Sequence, residues 1–357
     1  MSNNKIATDS ASLTAKQLIQ QNFVHQVIGH TAENNRLQPH KTTGQGSAPV
    51  NIALSKYWGK REAILNLPTN SSVSISLPGL GTNTQISLQE QNTDSGNDCI
   101  SLNGQQLDEN HPFAQRVNNF LNHFRENPSI RFNVITENSV PTAAGLASSA
   151  SGYAALVLAL NNLFDWQLDG KALSLLARLG SGSASRSVFN GFALWHQGEQ
   201  TDGMDSFAEQ IETQWPEFCV GLLEIDIKQK PVSSTLGMQN TVENCALYQA
   251  WPKQANQDVQ TILNAIQQRD FSLLGKTAEH NALTMHAYLI ASWPPILYWQ
   301  PESVQAMQTV WQLRNQGVEV YFTMDAGPNL KLLFLETEKP AIKQAFHEIK
   351  ILEPFKN

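Results

Sequence analysis

The sequence predicts an α+β fold, because strand-like and helix-like segments interleave without the regular alternation of a βαβ winding. Val50, Ile52 and Leu54 alternate as on a strand. The other strand-like positions are Val73, Ile75, Leu77, Phe132 and Val134, with the runs 319–323 and 331–335. Helical periodicity covers 153–164, 171–179, 259–266 and 303–314. We find neither an internal repeat nor a low-complexity array.

Composition indicates a globular protein with a sizeable core. The 357 residues are 41% hydrophobic and include 21 glycines. Only 15% are charged, against roughly 25% in a typical soluble domain. The 24 basic and 31 acidic residues give a net charge of −7, which argues against a nucleic-acid coat or a polybasic membrane binder. An anionic small-molecule substrate stays open, since local cations can dominate a cleft.

The sequence predicts neither a membrane span nor a secretory signal. YAALVLAL at 153–160 is about the longest apolar stretch, far short of the ~20 residues that cross a bilayer. The first residues lack an apolar signal block. Cys99, Cys219 and Cys245 show no CxxC spacing, so we expect reduced thiols in a cytoplasmic protein.

Residues 1–46 differ from the rest of the chain. Apolar residues at helical spacing predict one amphipathic helix ending near Gly29, and they are Leu18, Ile19, Phe23, Val24, Val27 and Ile28. The polar stretch 34–46 is interpreted as a linker. The helix could dock on the body, mediate an oligomer contact or stay mobile. We expect the segment to be dispensable for chemistry, because every motif described below begins at or after Ala48.

The strongest local signal is VPTAAGLASSASG at 140–152, between a predicted strand and a predicted helix. Gly145 permits close backbone approach, and Ser148 and Ser149 supply hydroxyls at the helix start. Unpaired N–H groups and the dipole make a helix N-terminus a phosphate site. No Gly-Lys-Ser/Thr follows, so the loop is not a Walker A motif, and an ordinary serine-capped helix start remains the alternative.

Two further segments combine anion-binding groups with ordinary alternatives. In GSGSASRS at 180–187, serines can cap a second helix and Arg186 offers a planar fork for a carboxylate or phosphate. Taken alone, this segment favours a helix–turn–helix with an exposed arginine. SKYWGKR at 55–61 places Lys56, Lys60 and Arg61 directly after a strand. A solvated strand end with a packed tryptophan would explain that segment equally well.

A single carboxylate, Asp325, lies in the segment FTMDAGPNLKLLF at 322–334. Ala-Gly-Pro-Asn is typical of turns, so Asp325 could be a structural turn residue or a general base held beside buried strands. His280 and His286 are six residues apart. On a helix they would lie on different faces, so we reject a metal site there.

Together these motifs resemble the diphosphomevalonate decarboxylases of the GHMP kinase superfamily, from about residue 47 to residue 334. The matching segments are APVNIALSKYWGK, LPTNSS, VPTAAGLASSASG, GSGSASRS, SSTLGM, NALTMHA, PPILY and MDAGPN. The resemblance implies a two-lobed fold with the ATP and substrate cleft between lobes at 47–218 and 219–357, after an N-terminal extension over 1–46. It also implies a possible homodimer.

The resemblance implies that ATP phosphorylates the tertiary 3-hydroxyl of 5-diphosphomevalonate, after which loss of phosphate and CO₂ gives isopentenyl diphosphate. Asp325 would activate the hydroxyl, Arg186 would hold the substrate carboxylate, and Lys56 would lie near the phosphate transfer. The implied substrate-binding residues are Tyr57, Trp58, Gly59, Lys60, Ser181, Gly182, Ser183, Ala184, Ser185, Arg186 and Thr235. The implied ATP-binding residues are Gly145, Leu146, Ala147, Ser148 and Ser149.

The implied cofactors are ATP and Mg²⁺, with the metal held mostly by the nucleotide, and we assign no metal ligand in the protein. Three other functions stay open. A 5-phosphomevalonate decarboxylase would need the same Asp325, Lys56 and Arg186. A 3-kinase is less favoured, because such relatives lack that set. A catalytically dead binding module would be expected to have lost Asp325 or the serine loop.

Overall fold

The computed structural model describes residues 3–31, 33–89, 97–125, 129–140, 148–226 and 232–356, without the side chains of 3–14 and 148. Within these ranges the helices are α1 (Asn3–Ile28), α2 (Pro112–Leu121), α3 (Ser148–Phe164), α4 (Gly170–Gly180), α5 (Ser234–Asn244), α6 (Trp251–Gln268), α7 (Phe271–Ala291), α8 (Pro301–Asn315) and α9 (Lys339–Ala345). The strands are β1 (Thr43–Ser55), β2 (Lys60–Glu62), β3 (Leu67–Pro68), β4 (Ser72–Leu88), β5 (Cys99–Leu102), β6 (Gln105–Gln106), β7 (Phe132–Asn138), β8 (Phe192–Trp195), β9 (Ala208–Ile211), β10 (Phe218–Leu223), β11 (Val320–Met324), β12 (Leu330–Leu335) and β13 (Lys350–Leu352). The α+β class is confirmed.

β4 is the central strand of a seven-stranded sheet, and β1 pairs along its length. They pair antiparallel from Thr43 opposite Ser87 to Ser55 opposite Val73. The second half of β4 pairs with β7 and its first half with β8. Successive strand side chains point to opposite faces. Val50, Ile52 and Leu54 therefore enter one core, while Asn51 and Ala53 between them lie on the other face.

The second sheet has four strands in the order β11-β12-β10-β13, all antiparallel. One hydrophobic cluster contains residues of both sheets, among them Ile52 and Ile75 of the first and Val220 and Leu333 of the second. Residues of α6 and α7 belong to the same cluster. This shared core brings the carboxyl end of β1 close to the β11–β12 hairpin.

The N-terminal helix docks on the first sheet's side of the molecule. Phe23, Val24 and Ile28 are buried in the cluster that also holds residues of α3 and α4. The predicted apolar face is wrong at its start, because Leu18 and Ile19 are 57% and 43% exposed. Among the described side chains of α1, burial begins at Gln20 and continues at Phe23, Val24 and Ile28.

The linker predicted over 34–46 is also partly wrong. Leu37 is fully buried, and Arg36 donates from Nη2 to the Trp166 carbonyl at 2.7 Å. β1 begins at Thr43, so the glycines interpreted as loop residues belong to a strand. A Cβ on Gly44 would lie 2.2 Å from the Ala159 carbonyl oxygen of α3. Glycine serves close helix packing here rather than chain flexibility.

Helix ends follow the expected chemistry at several places. Asp169 and Asp270 cap α4 and α7 by accepting the amides of Ala172 and Leu273. α6 has a proline in its first turn, and Arg269, the residue after its end, closes the helix with a left-handed φ of 54°. In the described ranges, we find no helix with both the length and the apolar character that crossing a bilayer requires.

Candidate active site

Lys56 follows the last residue of β1 and turns back into the protein. Its side chain is only 3% exposed, and Nζ donates to the Ala53 carbonyl at 2.8 Å and to Asp325 Oδ1 at 2.9 Å. Its main chain is held on both sides, because Asn281 Oδ1 accepts the Lys56 amide and Asn70 Nδ2 donates to the Lys56 carbonyl, both at 2.8 Å. The ammonium group therefore has a fixed position.

Asp325 directly follows β11 and faces two lysines. Besides Lys56, it lies near Lys331 of β12, whose Nζ is 3.3 Å from Oδ2. Asp325 retains 28% side-chain exposure, whereas both lysines retain 3%. The carboxylate is thus the accessible member of a buried charge cluster. The turn that follows is fixed by Ser303 of α8, which donates from Oγ to the Pro328 carbonyl at 2.8 Å.

The pKa values of Asp325, Lys56 and His286 are all lowered in this cluster, for different physical reasons. Burial would raise the pKa of Asp325, but the two lysines hold it well below its usual range. Burial lowers the pKa of Lys56 to about 8, against the pull of Asp325. Burial and then Lys56 lower the pKa of His286 to about 4. At neutral pH the carboxylate is ionised and the imidazole is neutral.

His286 braces the backbone of Asp325. Its Nε2 lies 3.1 Å from the Asp325 carbonyl oxygen, so we assign the proton of the neutral ring to Nε2. His280, on the same helix, is exposed. The two histidines lie on different faces, as predicted. Among the residues with described side chains, no group of three His, Cys, Asp or Glu could hold a metal ion.

The segment 180–187 differs from the predicted helix–turn–helix. α4 ends at Gly180, and a short 3₁₀ helix, Gly182–Ser185, follows without a side-chain cap from Ser181. Arg186 is 2% exposed rather than on the surface. Its Nη1 donates to Ser72 Oγ at 2.5 Å and its Nη2 to Asn51 Oδ1 at 3.4 Å. Polar residues of β1 and β4 receive the guanidinium, which explains how it can be buried.

The same segment packs against Tyr57 and Trp195. The Tyr57 and Trp195 rings meet edge to face at 4.8 Å, and the Arg186 guanidinium lies 5.7 Å from the Trp195 ring centre. A Cβ on Gly182 would lie 2.8 Å from both rings. Ser181 and Ser183 approach through their hydroxyls at 3.3 Å, Ala184 is fully buried, and Ser185 donates to the Gly182 carbonyl at 2.8 Å.

Three buried polar atoms of this wall have no hydrogen-bond partner among the described residues. They are the hydroxyl of Tyr57, the Nε of Arg186 and the indole Nε1 of Trp195. An unpartnered buried donor is costly unless a ligand or water satisfies it. Burial lowers the pKa of Arg186 to about 10, so the guanidinium is charged at neutral pH. These donors suit an anionic ligand.

Trp58 and Gly59 form the back of the site. Trp58 is 3% exposed and packs in a cluster with Tyr248 and Trp251. Tyr248 donates from its hydroxyl to the Trp58 carbonyl at 2.9 Å and contacts Thr69 Oγ1 at 2.9 Å. Gly59 adopts φ +118°, and a Cβ there would lie 1.7 Å from the Tyr248 oxygen. This position requires glycine for two independent reasons.

We therefore expect Gly59→Ala to lower the free energy of unfolding by about 2–6 kcal/mol, from backbone strain and a steric clash of about 1–3 kcal/mol each. Gly79→Ala is the matched control, because Gly79 also has a positive φ, +71°, but nothing lies within 4 Å of its Cβ position. Urea unfolding of both variants measures the difference. Equal losses would contradict the role of the Tyr248 contact.

The remaining predicted residues are placed less centrally. Lys60 begins β2 and donates from Nζ to Asn66 Oδ1 at 2.6 Å. Thr235, in the first turn of α5, is exposed. Ser149 is exposed at the start of α3. Gly145, Leu146 and Ala147 lie outside the described residues, as does the side chain of Ser148.

Several residues of the site were not proposed from the sequence, among them Asn51, Asn70 and Ser72, which hold Arg186 or Lys56. Lys331 is the second lysine beside Asp325, and the local sequence indicates only one polar residue in a strand. Asn281 and His286 both lie in NALTMHA, a segment noted only for its resemblance and for a rejected metal pair. Their signal is a polar side chain at buried positions of a helix, which becomes informative only once the packing of α7 is known.

The α+β fold, with two large sheets that share one core, is that of a GHMP-kinase-type protein. Two family models match the chain. The Diphosphomevalonate decarboxylase-like N-terminal domain matches residues 48–208, and the Mevalonate 5-diphosphate decarboxylase C-terminal domain matches residues 222–354. The chain belongs to the diphosphomevalonate decarboxylase family.

Individual relatives agree with the family models. The diphosphomevalonate decarboxylase of Schizosaccharomyces pombe is 38% identical over 323 residues, which cover 85% of this chain and 81% of the relative. A solved structure of MDDEF in complex with MVAPP, AMPPCP and magnesium has a TM-score of 0.80 and 39% identity, covering 88% of this chain and 98% of its own. The mevalonate diphosphate decarboxylase of Staphylococcus aureus has a TM-score of 0.80 and 36% identity, covering 87% and 95%.

Proposed function

We propose that this chain catalyses the ATP-dependent decarboxylation of 5-diphosphomevalonate to isopentenyl diphosphate, with release of ADP, phosphate and CO₂. The observation that carries the proposal is the Asp325 carboxylate, accessible and ionised between the buried ammonium groups of Lys56 and Lys331. A tertiary alcohol is a poor nucleophile, and a positioned carboxylate can take its proton. The family membership of the chain supports the same reaction.

Asp325 acts as the proton acceptor for the 3-hydroxyl. Its low pKa makes it a weak base, so proton transfer follows the formation of the oxygen–phosphorus bond, which makes the hydroxyl more acidic. Lys56 and Lys331 hold the carboxylate in one orientation and keep it ionised. Lys56 also supplies positive charge where the transferring phosphoryl group is negative.

Arg186 and Tyr57 bind the anionic groups of the substrate. The planar guanidinium of Arg186 keeps unused donor capacity after its bonds to Ser72 and Asn51, and this capacity suits the substrate carboxylate. The side of the site toward the substrate diphosphate is lined by the unpartnered Tyr57 hydroxyl, Ser181, Ser183 and Lys60. Fixing the carboxylate relative to the departing phosphate favours loss of CO₂ along one path.

Charge in the site fits a nucleotide and its metal. Lys56, Lys331 and Arg186 contribute three positive charges and Asp325 one negative charge, so the cluster is positive by two and attracts phosphate groups. AMPPCP, an ATP analogue, is bound with magnesium in the related MDDEF structure. When bound, Mg²⁺ offsets charge on the nucleotide's phosphates. The segment 145–149 stays the predicted phosphate-binding loop for this nucleotide.

The test is a coupled assay of ADP and CO₂ release with mevalonate, its 5-phosphate and its 5-diphosphate as separate substrates. We expect both products, in equal amounts, from the 5-diphosphate and formation of isopentenyl diphosphate. Preferential turnover of the 5-phosphate would instead identify the chain as a 5-phosphomevalonate decarboxylase. ADP release without CO₂ would assign a 3-kinase, and no turnover of any of the three would refute the proposal.

The pKa of Lys56 predicts the pH dependence of the reaction. With a pKa of about 8, Lys56 is charged below pH 8 and loses its charge above it. If the charge is required, kcat/KM falls about tenfold per pH unit above pH 8, since kcat/KM reports groups of the free enzyme. Asp325 contributes no acid limb above pH 4, because its pKa lies well below the usual range.

Lys56→Arg is the control for this profile. A guanidinium remains charged throughout the measured range, so the alkaline limb should disappear even though the rate is lower. A limb that persists near pH 8 in Lys56→Arg would show that another group titrates there.

A further inference from the structure

Helix α1 precedes residue 48, where the match to the family models begins, yet it packs against the part of the chain that those models match. Phe23, Val24 and Ile28 share one hydrophobic cluster with Leu65 and Leu67. Those two leucines belong to the hairpin β2–β3 or to its turn, over residues 60–68. The extension therefore contacts the segment that carries Lys60.

Two consecutive carbonyl groups of this hairpin accept hydrogen bonds, one from a side chain of α1 and one from a side chain of α4. Gln20, buried on α1, donates from Nε2 to the Ile64 carbonyl at 2.8 Å. Arg178 of α4 donates from Nε to the Leu65 carbonyl at 2.9 Å. The Arg178 guanidinium is fully buried and lies 5.0 Å from the ring centre of Phe23. The aromatic ring provides a favourable face for this buried cation.

The anchored turn in turn holds Lys60. Asn66 is the next residue and adopts a left-handed φ of 55°. Its Nδ2 donates to the carbonyls of Arg178 at 2.9 Å and Leu179 at 3.0 Å. Its Oδ1 accepts the ammonium of Lys60 at 2.6 Å. A continuous set of contacts therefore runs from α1 to the amine of Lys60.

A charged residue of α1 also affects the pKa of Lys60. The pKa of Lys60 is lowered by burial and further by Lys16, an exposed lysine of α1, and Glu62 of the same hairpin opposes this shift only in part. Two positive charges thus lie close enough to repel each other. Such a pair is relieved when an anion binds beside it.

We propose that α1 is a positioning element for substrate binding, in which Gln20 and Phe23 hold the hairpin 60–68 so that Lys60 is presented to the phosphate groups of the substrate. The inference rests on the proposed function for the identity of that substrate. A hairpin that samples other conformations lowers apparent affinity in proportion to the population that is competent. Phosphoryl transfer and decarboxylation occur at Asp325 and Arg186. None of the α1 contacts described above involves either residue.

The test uses single substitutions in the full chain. Gln20→Ala removes the bond to the Ile64 carbonyl, and Phe23→Leu keeps apolar bulk but removes the ring under Arg178. Leu18→Ala is the matched control, because this side chain is on the same helix but 57% exposed. KM for 5-diphosphomevalonate, KM for ATP and kcat are measured, together with hydrogen exchange of the 60–68 amides without substrate.

We expect Gln20→Ala and Phe23→Leu to raise KM for 5-diphosphomevalonate on the order of three- to tenfold, the equivalent of one lost hydrogen bond. kcat and KM for ATP should stay within about twofold of the wild type. Exchange of the 60–68 amides should accelerate in both variants and not in Leu18→Ala. A purely structural role for α1 would lower stability without this split between KM and kcat.

Unchanged KM for 5-diphosphomevalonate in folded Gln20→Ala and Phe23→Leu would overturn the positioning role, whether or not exchange accelerates. An equal rise of KM in Leu18→Ala would overturn it too. A wild-type chain that turns over none of the mevalonate substrates refutes the proposed function instead. In that case unaltered exchange at 60–68 in the two variants would also refute the coupling of α1 to the hairpin.

Discussion

Asp325→Asn is expected to lower kcat on the order of 10²–10⁴-fold, the usual effect of losing a general base. Asparagine keeps the size of the side chain and can still accept a hydrogen bond from Lys56. It cannot accept the proton of the 3-hydroxyl. The barrier would rise by roughly 3–5.5 kcal/mol at 1.36 kcal/mol for each factor of ten. The measurement is single-turnover release of ADP and CO₂ from 5-diphosphomevalonate.

The same substitution has a structural effect, because Lys56 and Lys331 are both buried and both lose their counter-charge. Removing one partner of a buried ion pair costs about 3–5 kcal/mol. Since Asp325 raises the pKa of Lys56 against burial, that pKa should also fall below about 8 in the variant. A lower melting temperature is therefore expected beside the loss of rate, and the two effects must be separated.

The double variant Asp325→Asn/Lys331→Met separates them. The wild-type group of Asp325, Lys56 and Lys331 has one positive charge in excess, Asp325→Asn has two, and the double variant returns to one. Stability should recover in part while the rate stays low. Recovery of near-normal kcat in the double variant would mean that Asp325 only balances charge. Near-normal kcat in the folded single variant would favour the turn-residue alternative.

Much of the fold could be predicted, because it depends on local patterns. Alternate residues of a strand share one face, so the sequence predicts that Val50, Ile52 and Leu54 enter the same core. The structure buries all three. The helices predicted over 153–164 and 303–314 are contained in α3 and α8. Helix ends were less predictable, since the cap Asp270 of α7 and the left-handed Arg269 after α6 have local sequences that many turns share.

The environment of Arg186 could not be predicted from its own segment. Serine-rich chemistry favoured a capped helix and an exposed arginine, whereas the structure has a 3₁₀ turn and a buried guanidinium. The difference comes from Ser72 and Asn51, which are more than a hundred residues away in sequence and accept its N–H groups. Hydrogen bonds between distant strands leave no local periodicity in the sequence.

Lys331 shows the same limit for charge. In the run LKLLFL of β12, a lysine between leucines predicts a residue that points to solvent. Antiparallel pairing places Lys331 opposite Thr323, two residues before Asp325, so the ammonium reaches the carboxylate across the hairpin. The register of the hairpin, which becomes known only with the fold, creates the second ion pair of Asp325.

Arg186→Lys is expected to reduce CO₂ release on the order of 10²-fold, because misplacing a reacting group by about 1 Å has an effect of that size. Lysine keeps the charge but lacks the planar fork. Its single ammonium cannot bond to Ser72, Asn51 and a substrate carboxylate in one plane. Arg186→Gln, which also loses the charge, should be at least as impaired. ADP and CO₂ release are measured separately in each variant.

Ser72→Ala is the matched control for the planar geometry. It removes the anchor of Nη1 but leaves the guanidinium, its charge and its contact with Asn51 in place. We therefore expect an effect between that of the wild type and that of Arg186→Lys, with CO₂ release reduced more than ADP release. If Arg186→Lys released CO₂ at the wild-type rate, charge alone would be sufficient, and the bidentate hold on the carboxylate proposed for Arg186 would be wrong.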